Sequence, residues 1–371
     1  MGHFDRLWHG VGRIARTRYP GFIFGLPLRG SEIPVFTYHD VEARVFARDL
    51  EFLRDNRYRT LGLDEYLAVR QGKLPLDRRS VLLTFDDARK SFHSVALPLL
   101  CSFDARAVLF APTYWMDDAD RAPADDLFMS WPQLAACVAS GRVDVQSHAH
   151  RHALVATEPR LVDFANPAAL RHFDIYDWPM RHTLRGDVLG RPPLGTPIYR
   201  SAPLLSATTR YLENEAVTVE CQRFVQRQGG DAFFQQRDWR SALLREYRKQ
   251  ARRLPGVYMS TAEMGKLVDS EFELSNAAFR THLGYAPRSL AYPWMLGSRL
   301  SVELAQRHGL QALFGVALDF RAERRADLPL PVYGRFKCDW LRLLPGRKRT
   351  NVFMAIGEKV RGFAAGQHLA H

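Results

Sequence analysis

Short apolar runs bounded by turn residues recur along the chain and predict buried β-strands. These runs are Ile33 to Tyr38, Val81 to Phe85, Ala107 to Ala111, Val143 to Gln146, Ser289 to Tyr292 and Ala312 to Ala317. Between them, apolar residues recur at helical spacing over Val45 to Asn56, Leu63 to Arg70, Phe92 to Phe103, Trp131 to Ser140 and Ser298 to His308. Strands that alternate with helices are typical of an α/β protein with a parallel sheet or barrel.

This alternation stops between Val155 and Gly256. The segment first carries prolines, arginines and aromatic residues, and then helix-like stretches at Ala207 to Gln228 and Asp238 to Arg253. A loop of an α/β body tolerates a long insertion at modest entropic cost. We therefore predict a body over residues 31–345, interrupted by a partly helical insertion at 155–255, with a basic amphipathic segment at 1–30 and a tail at 346–371.

The composition indicates a globular protein with a basic surface. The chain has 371 residues, 46% of them hydrophobic, and a formal net charge of +12. This charge favours partners that are negatively charged. Nucleic acid is the least favoured of them, because no zinc-finger spacing or RNP motif is present and the arginines are spread along the chain. The four cysteines form no CxxC pair, so we expect buried free thiols.

The N-terminal segment predicts an amphipathic helix. Apolar residues recur at helical spacing while arginines occupy other positions, a pattern that suits the surface of an anionic membrane but equally a helix packed on the protein's own core. No apolar run approaches the ~20 residues of a transmembrane helix, and no signal-peptide pattern is present. We expect a cytoplasmic protein that lies peripherally on the inner membrane face.

Two clusters of chemically active side chains follow predicted strands. Asp86 and Asp87 are adjacent after the run Val81 to Phe85, where they could cap a helix or hold a metal ion. His148 and His152 are four residues apart after another predicted strand, so one turn or tight loop could direct both imidazoles to one point. Because α/β folds place active-site loops at the carboxyl ends of their strands, we expect the two clusters to converge on one ion.

The motifs resemble those of the polysaccharide deacetylase family, also called the NodB-homology or carbohydrate esterase 4 family. The residues that carry the resemblance are TFDDA at Thr84 to Ala88, SHAHRH at Ser147 to His152, FTYHDV at Phe36 to Val41 and LAYPW at Leu290 to Trp294. The last motif is similar to the form found in the poly-N-acetylglucosamine deacetylase-like subgroup. The resemblance implies a distorted (β/α)-barrel of NodB-homology type that carries the large, partly helical insertion.

The resemblance also implies roles for individual residues. Asp86 would be the general base, and Asp87, His148 and His152 the ligands of a divalent metal. Zinc is the first choice, with nickel, cobalt or iron as alternatives for an Asp-His-His site. Substrate-binding candidates are Tyr292, Pro293 and Trp294 of the LAYPW motif and Arg200 of the insertion.

Three features depart from the family pattern. Ala88 stands where the family has glycine, and alanine is strained if the backbone there needs a positive φ. The LAYPW motif lacks the arginine that elsewhere orients the catalytic aspartate; Arg200 is a candidate to replace it. The motif that normally supplies the general acid has no match, so the acid is unassigned, with His39 and His150 as candidates.

The resemblance implies a metal-dependent carbohydrate N-deacetylase, a hydrolase of carbon–nitrogen bonds other than peptide bonds. The expected substrate is an N-acetylated amino sugar in a polysaccharide or glycoconjugate, including a lipid- or nucleotide-linked precursor. Arginines of the insertion could then bind phosphate: Arg181, Arg185, Arg191 and Arg200. Two alternatives stay open at this point: a catalytically inactive carbohydrate-binding homologue, and a hydrolase of another C–N bond.

Overall fold

The computed structural model describes residues 20–30, 32–76, 78–116, 127–315 and 328–351. The predicted N-terminal amphipathic helix and most of the predicted C-terminal tail lie outside these residues. The chain divides into two compact units, the first drawn from Met1–Arg151, Phe272–Met295 and Ala305–His371, the second from His152–Glu271 and Leu296–Leu304. The bounds predicted for the insertion, 155–255, stay a prediction.

The strands and helices are numbered here in chain order. The strands are β1 (Val35–Tyr38), β2 (Arg59–Thr60), β3 (Ser80–Phe85), β4 (Ala107–Ala111), β5 (Val143–Ser147), β6 (Leu154–Phe164), β7 (Arg181–Thr183), β8 (Gly186–Val188), β9 (Pro197–Pro203), β10 (Tyr211–Leu212), β11 (Val257–Tyr258), β12 (Ser289–Ala291), β13 (Ala312–Gly315), β14 (Val332–Gly334) and β15 (Phe336–Lys337). The α-helices are α1 (Ala43–Asp55), α2 (Leu63–Arg70), α3 (Leu97–Ser102), α4 (Trp131–Ala139), α5 (Pro167–His172), α6 (Glu215–Arg227), α7 (Trp239–Arg253), α8 (Thr261–Leu283) and α9 (Arg299–Arg307).

The first unit is built on a parallel sheet that nearly closes into a barrel. Its strand order is β14-β13-β12-β5-β4-β3-β1-β15, and β2 pairs with the start of β3. The two ends of this order, β14 and β15, are separated in sequence only by Arg335. On one side of Arg335 the chain pairs with β13, and on the other side with β1. The predicted (β/α)-barrel is confirmed.

The barrel strands are buried because their side chains pack on both faces. All six residues of β3 and all five of β4 are buried, as the continuous apolar runs predicted. The segment from Lys90 to Ser102 is helical, and it contains a π-helical turn, Phe92–Ala96, before α3. Pro98, near the start of α3, has no N–H to donate to the preceding turn, which favours this irregularity.

The second unit contains strands that the sequence pattern did not predict. β6 and β9 form an antiparallel pair with register shifts, and its burial alternates irregularly because one face is solvated. The helix-like stretch predicted from Ala207 begins only at Glu215, where the side chain of Asn214 accepts the N–H of Ala216 as an N-cap. This unit has its own core around Phe164, Tyr199, Cys221, Phe233 and Leu243.

None of the four cysteines forms a disulfide, as predicted. Cys137 and Cys221 are buried, but Cys338 is half-buried and Cys101 is exposed. Among the described helices, none combines the length and the apolar character needed to cross a membrane.

A buried carboxyl group in the first unit predicts a pH dependence of stability. Tyr38 donates its hydroxyl to Oδ2 of Asp49 at 2.9 Å, and burial raises the pKa of Asp49 to about 7. The unfolded chain ionises this carboxyl near pH 4, whereas the folded protein keeps it protonated up to about pH 7. The folded state therefore binds the extra proton, and the free energy of unfolding should fall by about 2 to 3 kcal/mol between pH 5 and pH 8.

Asp49→Asn should remove this loss, because the amide still accepts the hydroxyl of Tyr38 and does not ionise. Urea denaturation at several pH values would measure it, with Glu51→Gln, an exposed position of the same helix, as the matched control. An unchanged pH slope in Asp49→Asn would contradict the prediction.

Candidate metal centre and catalytic site

Asp86 and Asp87 lie at the carboxyl end of β3, in a loop with unusual backbone geometry. The N–H of Asp86 still bonds the carbonyl of Tyr38 at 2.9 Å, but Asp87 and Ala88 have positive φ angles of 70° and 48°. The next helical residue is Lys90, so neither aspartate occupies the position directly before a helix. Ala88 therefore does occupy the left-handed region, at a cost of about 1 to 2 kcal/mol relative to glycine. Its carbonyl accepts the N–H of Met129, which helps to hold the loop.

Asp87, His148 and His152 converge, as the spacing of the motifs predicted. All three are buried, and one potential ligand atom from each lies within 4.8 Å of the others. His148 follows β5, and its Nδ1 lies 2.8 Å from the carbonyl of Ala291. This contact fixes the ring so that Nε2 faces Oδ1 of Asp87 at 3.4 Å. The ring of His152 lies 3.9 Å from that of Tyr176, centroid to centroid.

These residues fit a divalent cation. One carboxylate and two imidazoles are common ligands for zinc and similar metals. A metal-binding histidine usually donates its other ring nitrogen to a carbonyl or carboxylate, which is the arrangement of His148 and Ala291. The cation itself would offset the cost of holding this carboxylate buried.

Asp86 is held by an arginine that the sequence reasoning missed. Nη1 of Arg335 lies 2.7 Å from Oδ1 of Asp86, and Nη2 lies 2.8 Å from Oδ2, so the pair is bidentate. Both side chains are buried. Burial by itself would raise the pKa of Asp86, but the charge and hydrogen bonds of Arg335, with the nearby His148, lower it below the ordinary value. Burial and the contacts of Arg335 therefore leave Asp86 as a buried carboxyl group whose ionised form is favoured.

The expectation that Arg200 orients Asp86 is wrong. Arg335 occupies that position, while the Nε of Arg200 pairs with Glu158 at 3.0 Å on an exposed surface. In the family pattern this arginine belongs to the motif that LAYPW represents here. In this chain the guanidinium comes instead from Arg335, between β14 and β15. The one signal in the sequence was a lone arginine inside the short apolar run VYGRF.

The two candidates for the general acid occupy different environments. Nε2 of His39 lies 3.9 Å from Oδ2 of Asp86, and a fifth of the side chain is exposed. Burial lowers the pKa of His39, and the charges of Asp87 and Asp86 oppose this effect. Nδ1 of His150 is 2.8 Å from the hydroxyl of Thr113, and its ring lies edge-on to Tyr114.

The substrate-binding candidates differ in exposure. Tyr292 and Pro293 are buried, whereas Trp294 is half-buried, with a positive φ of 49°. Three of the arginines suggested for phosphate binding, Arg185, Arg191 and Arg200, are exposed, and Arg181 is half-buried. The substrate-binding roles of all these residues stay predictions.

This chain is similar in sequence to known polysaccharide deacetylases. The model of the family described as polysaccharide deacetylase matches residues 73–171, a range that includes Asp86, Asp87, His148 and His152. The resemblance to the polysaccharide deacetylase family is confirmed. The poly-beta-1,6-N-acetyl-D-glucosamine N-deacetylase of Escherichia coli strain K12 is 27% identical over 119 residues, which cover 30% of this chain. The match spans only 18% of the length of that protein.

Solved structures of polysaccharide deacetylases share the fold. The deacetylase domain of BpsB from Bordetella bronchiseptica is 20% identical, with a TM-score of 0.54 over 84% of this chain and 97% of that domain. A de-N-acetylase from Aggregatibacter actinomycetemcomitans is 17% identical, with a TM-score of 0.53 over 82% of this chain and 94% of its own. IcaB from Ammonifex degensii is 18% identical, with a TM-score of 0.50 over 86% of this chain and 97% of its own.

Proposed function

We propose that this protein is a metal-dependent deacetylase that hydrolyses the N-acetyl group of an amino sugar in a polysaccharide or glycoconjugate. The observation that carries the proposal is the buried carboxylate of Asp86, held bidentately by Arg335 beside the convergent Asp87, His148 and His152. Burying an ion pair costs free energy, because both charges lose their hydration. A protein that only bound sugar would have no use for a base kept ionised at this position.

The residues divide the chemistry between them. Asp87, His148 and His152 would hold the ion, which when bound polarises the acetamide carbonyl and makes water more acidic. Asp86 accepts the proton of the attacking water, and Arg335 keeps its carboxylate ionised and fixed in orientation. The leaving amine must then receive a proton. We assign this step to His39, because its ring lies across from Asp86 and reaches solvent, whereas Nδ1 of His150 already contacts Thr113.

The substrate class is supported by the name of the Escherichia coli relative, which acts on a polymer of N-acetylglucosamine. We extend this class to lipid- or nucleotide-linked precursors, handled by a peripheral protein at the inner face of the membrane, because the chain is basic and its N-terminus has an amphipathic pattern. Zinc remains the first choice of metal, and nickel, cobalt and iron would suit the same ligands.

The alternative of an inactive carbohydrate-binding homologue loses one of its two supports. It depended on the missing arginine and on the missing histidine of the general-acid motif, and Arg335 supplies a guanidinium at the aspartate. A hydrolase of another C–N bond differs in substrate rather than in site, so an assay on cyclic ureides beside N-acetylhexosamine derivatives separates it.

Metal content tests the proposal directly. We expect the native protein to hold close to one equivalent of a divalent metal and to release acetate from chito-oligosaccharides or a fluorogenic acetate ester. In His148→Ala, both metal and activity should be lost. Asp87→Asn preserves the shape of the side chain, so the same two losses in this variant would show that misfolding is not their cause. The control is His93→Ala, a half-buried histidine elsewhere in the first unit. A native protein that takes up no metal and releases no acetate would refute the proposal.

A further inference from the structure

A groove rich in arginine lies on the first unit, away from the metal centre. Its volume is about 950 Å³. Five arginines line it, Arg54, Arg57, Arg59, Arg78 and Arg79, against one carboxylate, Asp104. A cavity of this size accommodates a ligand larger than a single phosphate ion.

The groove lies at the opposite end of the barrel strands from the catalytic residues. Arg79 immediately precedes β3, and Asp86 immediately follows it. Because these two positions flank the six residues of β3, seven steps of about 3.3 Å place them about 23 Å apart. In barrel enzymes the carboxyl ends of the strands carry the chemistry and the amino ends serve stability. A contribution to stability does not explain the arginines of the groove, because their like charges repel one another.

Most of the positive charge in the groove is not neutralised. Asp104 pairs with Arg142, which does not line the groove, while Arg54 pairs with Asp55 and Arg59 with Glu65. Among the described residues, no carboxylate pairs with the three remaining arginines, and all three are exposed: Arg57, Arg78 and Arg79.

Two of the guanidinium groups are held in place by aromatic rings. The guanidinium of Arg54 lies 5.4 Å from the ring centroid of Phe103, and that of Arg79 lies 5.9 Å from that of Tyr58. Arg79 also donates to the carbonyl of Pro345 at 3.5 Å. Groups that are already ordered lose less entropy when a ligand binds.

We propose that this groove binds a ligand through negatively charged phosphate groups, such as a pyrophosphate or the phosphodiester of a lipid headgroup. Planar guanidinium groups match phosphate oxygens through paired hydrogen bonds, and five of them line this groove. A neighbouring groove of about 360 Å³ shares Asn56 and has a smaller excess of positive charge, with four cations against two carboxylates, Glu51 and Asp55; the cations are Arg48, Arg342, Arg347 and Lys348. The ligand is either a soluble phosphate compound or the headgroup of an anionic phospholipid. The inference does not depend on the deacetylase activity.

Two triple variants of the full chain test the groove. One removes its unpaired charges, Arg57→Gln with Arg78→Gln and Arg79→Gln. The matched control, Arg44→Gln with Arg280→Gln and Arg307→Gln, removes the same charge from exposed positions of the first unit outside the groove. Calorimetry with inorganic pyrophosphate probes the soluble source. Sedimentation with phosphatidylcholine vesicles, with and without phosphatidylglycerol, probes the lipid source.

We expect the groove variant to bind more weakly by about fivefold for each arginine removed, and by about a hundredfold in all. The control should stay near the native affinity. Loss confined to pyrophosphate identifies a soluble ligand, and loss confined to the anionic vesicles identifies the lipid headgroup. The proposal is overturned if the two variants behave alike with both probes. Unchanged melting temperature and acetate release in the groove variant exclude misfolding.

Discussion

Replacement of Asp86 by asparagine should lower acetate release by about two to four orders of magnitude. Asparagine has nearly the same shape but cannot accept a proton, so the attacking water loses its base. The three metal-binding candidates are unchanged in this variant, and we expect its metal content to remain native. Steady-state kinetics together with metal analysis would separate loss of the base from loss of the ion.

A control variant and a measurement of stability show whether the loss of activity comes from the missing base. Asp40→Asn is the matched control, because Asp40 is an exposed carboxylate near the same site that accepts a hydrogen bond from Ser91 at 3.3 Å. The unfolding free energy of Asp86→Asn should be followed in parallel, because Arg335 is left without its carboxylate. Activity close to native in a correctly folded, metal-loaded Asp86→Asn would remove Asp86 from the mechanism.

Replacement of Arg335 by methionine should destabilise the protein by about 3 to 5 kcal/mol and also impair catalysis. Methionine fills a similar volume but leaves Asp86 as a buried, uncompensated charge. The pKa of Asp86 should then rise toward and above its ordinary value, since the guanidinium that lowers it is gone. Acetate release, which in the proposed mechanism needs the ionised base, should therefore require a higher pH than in the native protein.

The pH profile distinguishes this effect from a general loss of structure. A purely structural role would lower the maximum rate without moving the acidic limb of the profile. Arg335→Lys should fall between the native protein and Arg335→Met, because lysine keeps the charge but not the bidentate contact. The double variant Asp86→Asn with Arg335→Met should recover part of the lost stability, since neither charge is left alone. If the double variant is as unstable as the sum of the single ones, the pair is not coupled.

The barrel could be predicted from the sequence because its strands are buried on both faces. A strand of that kind is a continuous apolar run, and β4 was predicted to the residue at Ala107–Ala111. The second unit was harder, because its antiparallel strands are partly solvated and irregular, as in β6. The 23-residue helix α8 was also missed. Its buried polar residues, such as Glu271, Ser275 and Asn276, weaken the apolar periodicity on which a helix prediction rests.

The convergence of Asp87, His148 and His152 could be predicted because each follows a barrel strand at the same edge of the sheet. Arg335 could not be predicted in this way. Its partner lies 249 residues earlier in the sequence, and strands as short as β14 and β15 give almost no periodic signal. Only the register of the sheet, with Phe336 beside Phe36, brings the arginine to the aspartate.

The position of Arg335 has a consequence for the synthesis of the protein on the ribosome. The residue that holds the proposed base, Asp86, also lies where the two ends of the sheet meet, and it is translated long after the aspartates and the histidines. A chain still on the ribosome, with this segment inside the exit tunnel, can already contain every metal-binding candidate but not an oriented base. Domains fold progressively from the N-terminus during synthesis. If the proposed deacetylase function holds, activity should therefore begin only once this segment has left the ribosome, and unfinished chains should release no acetate.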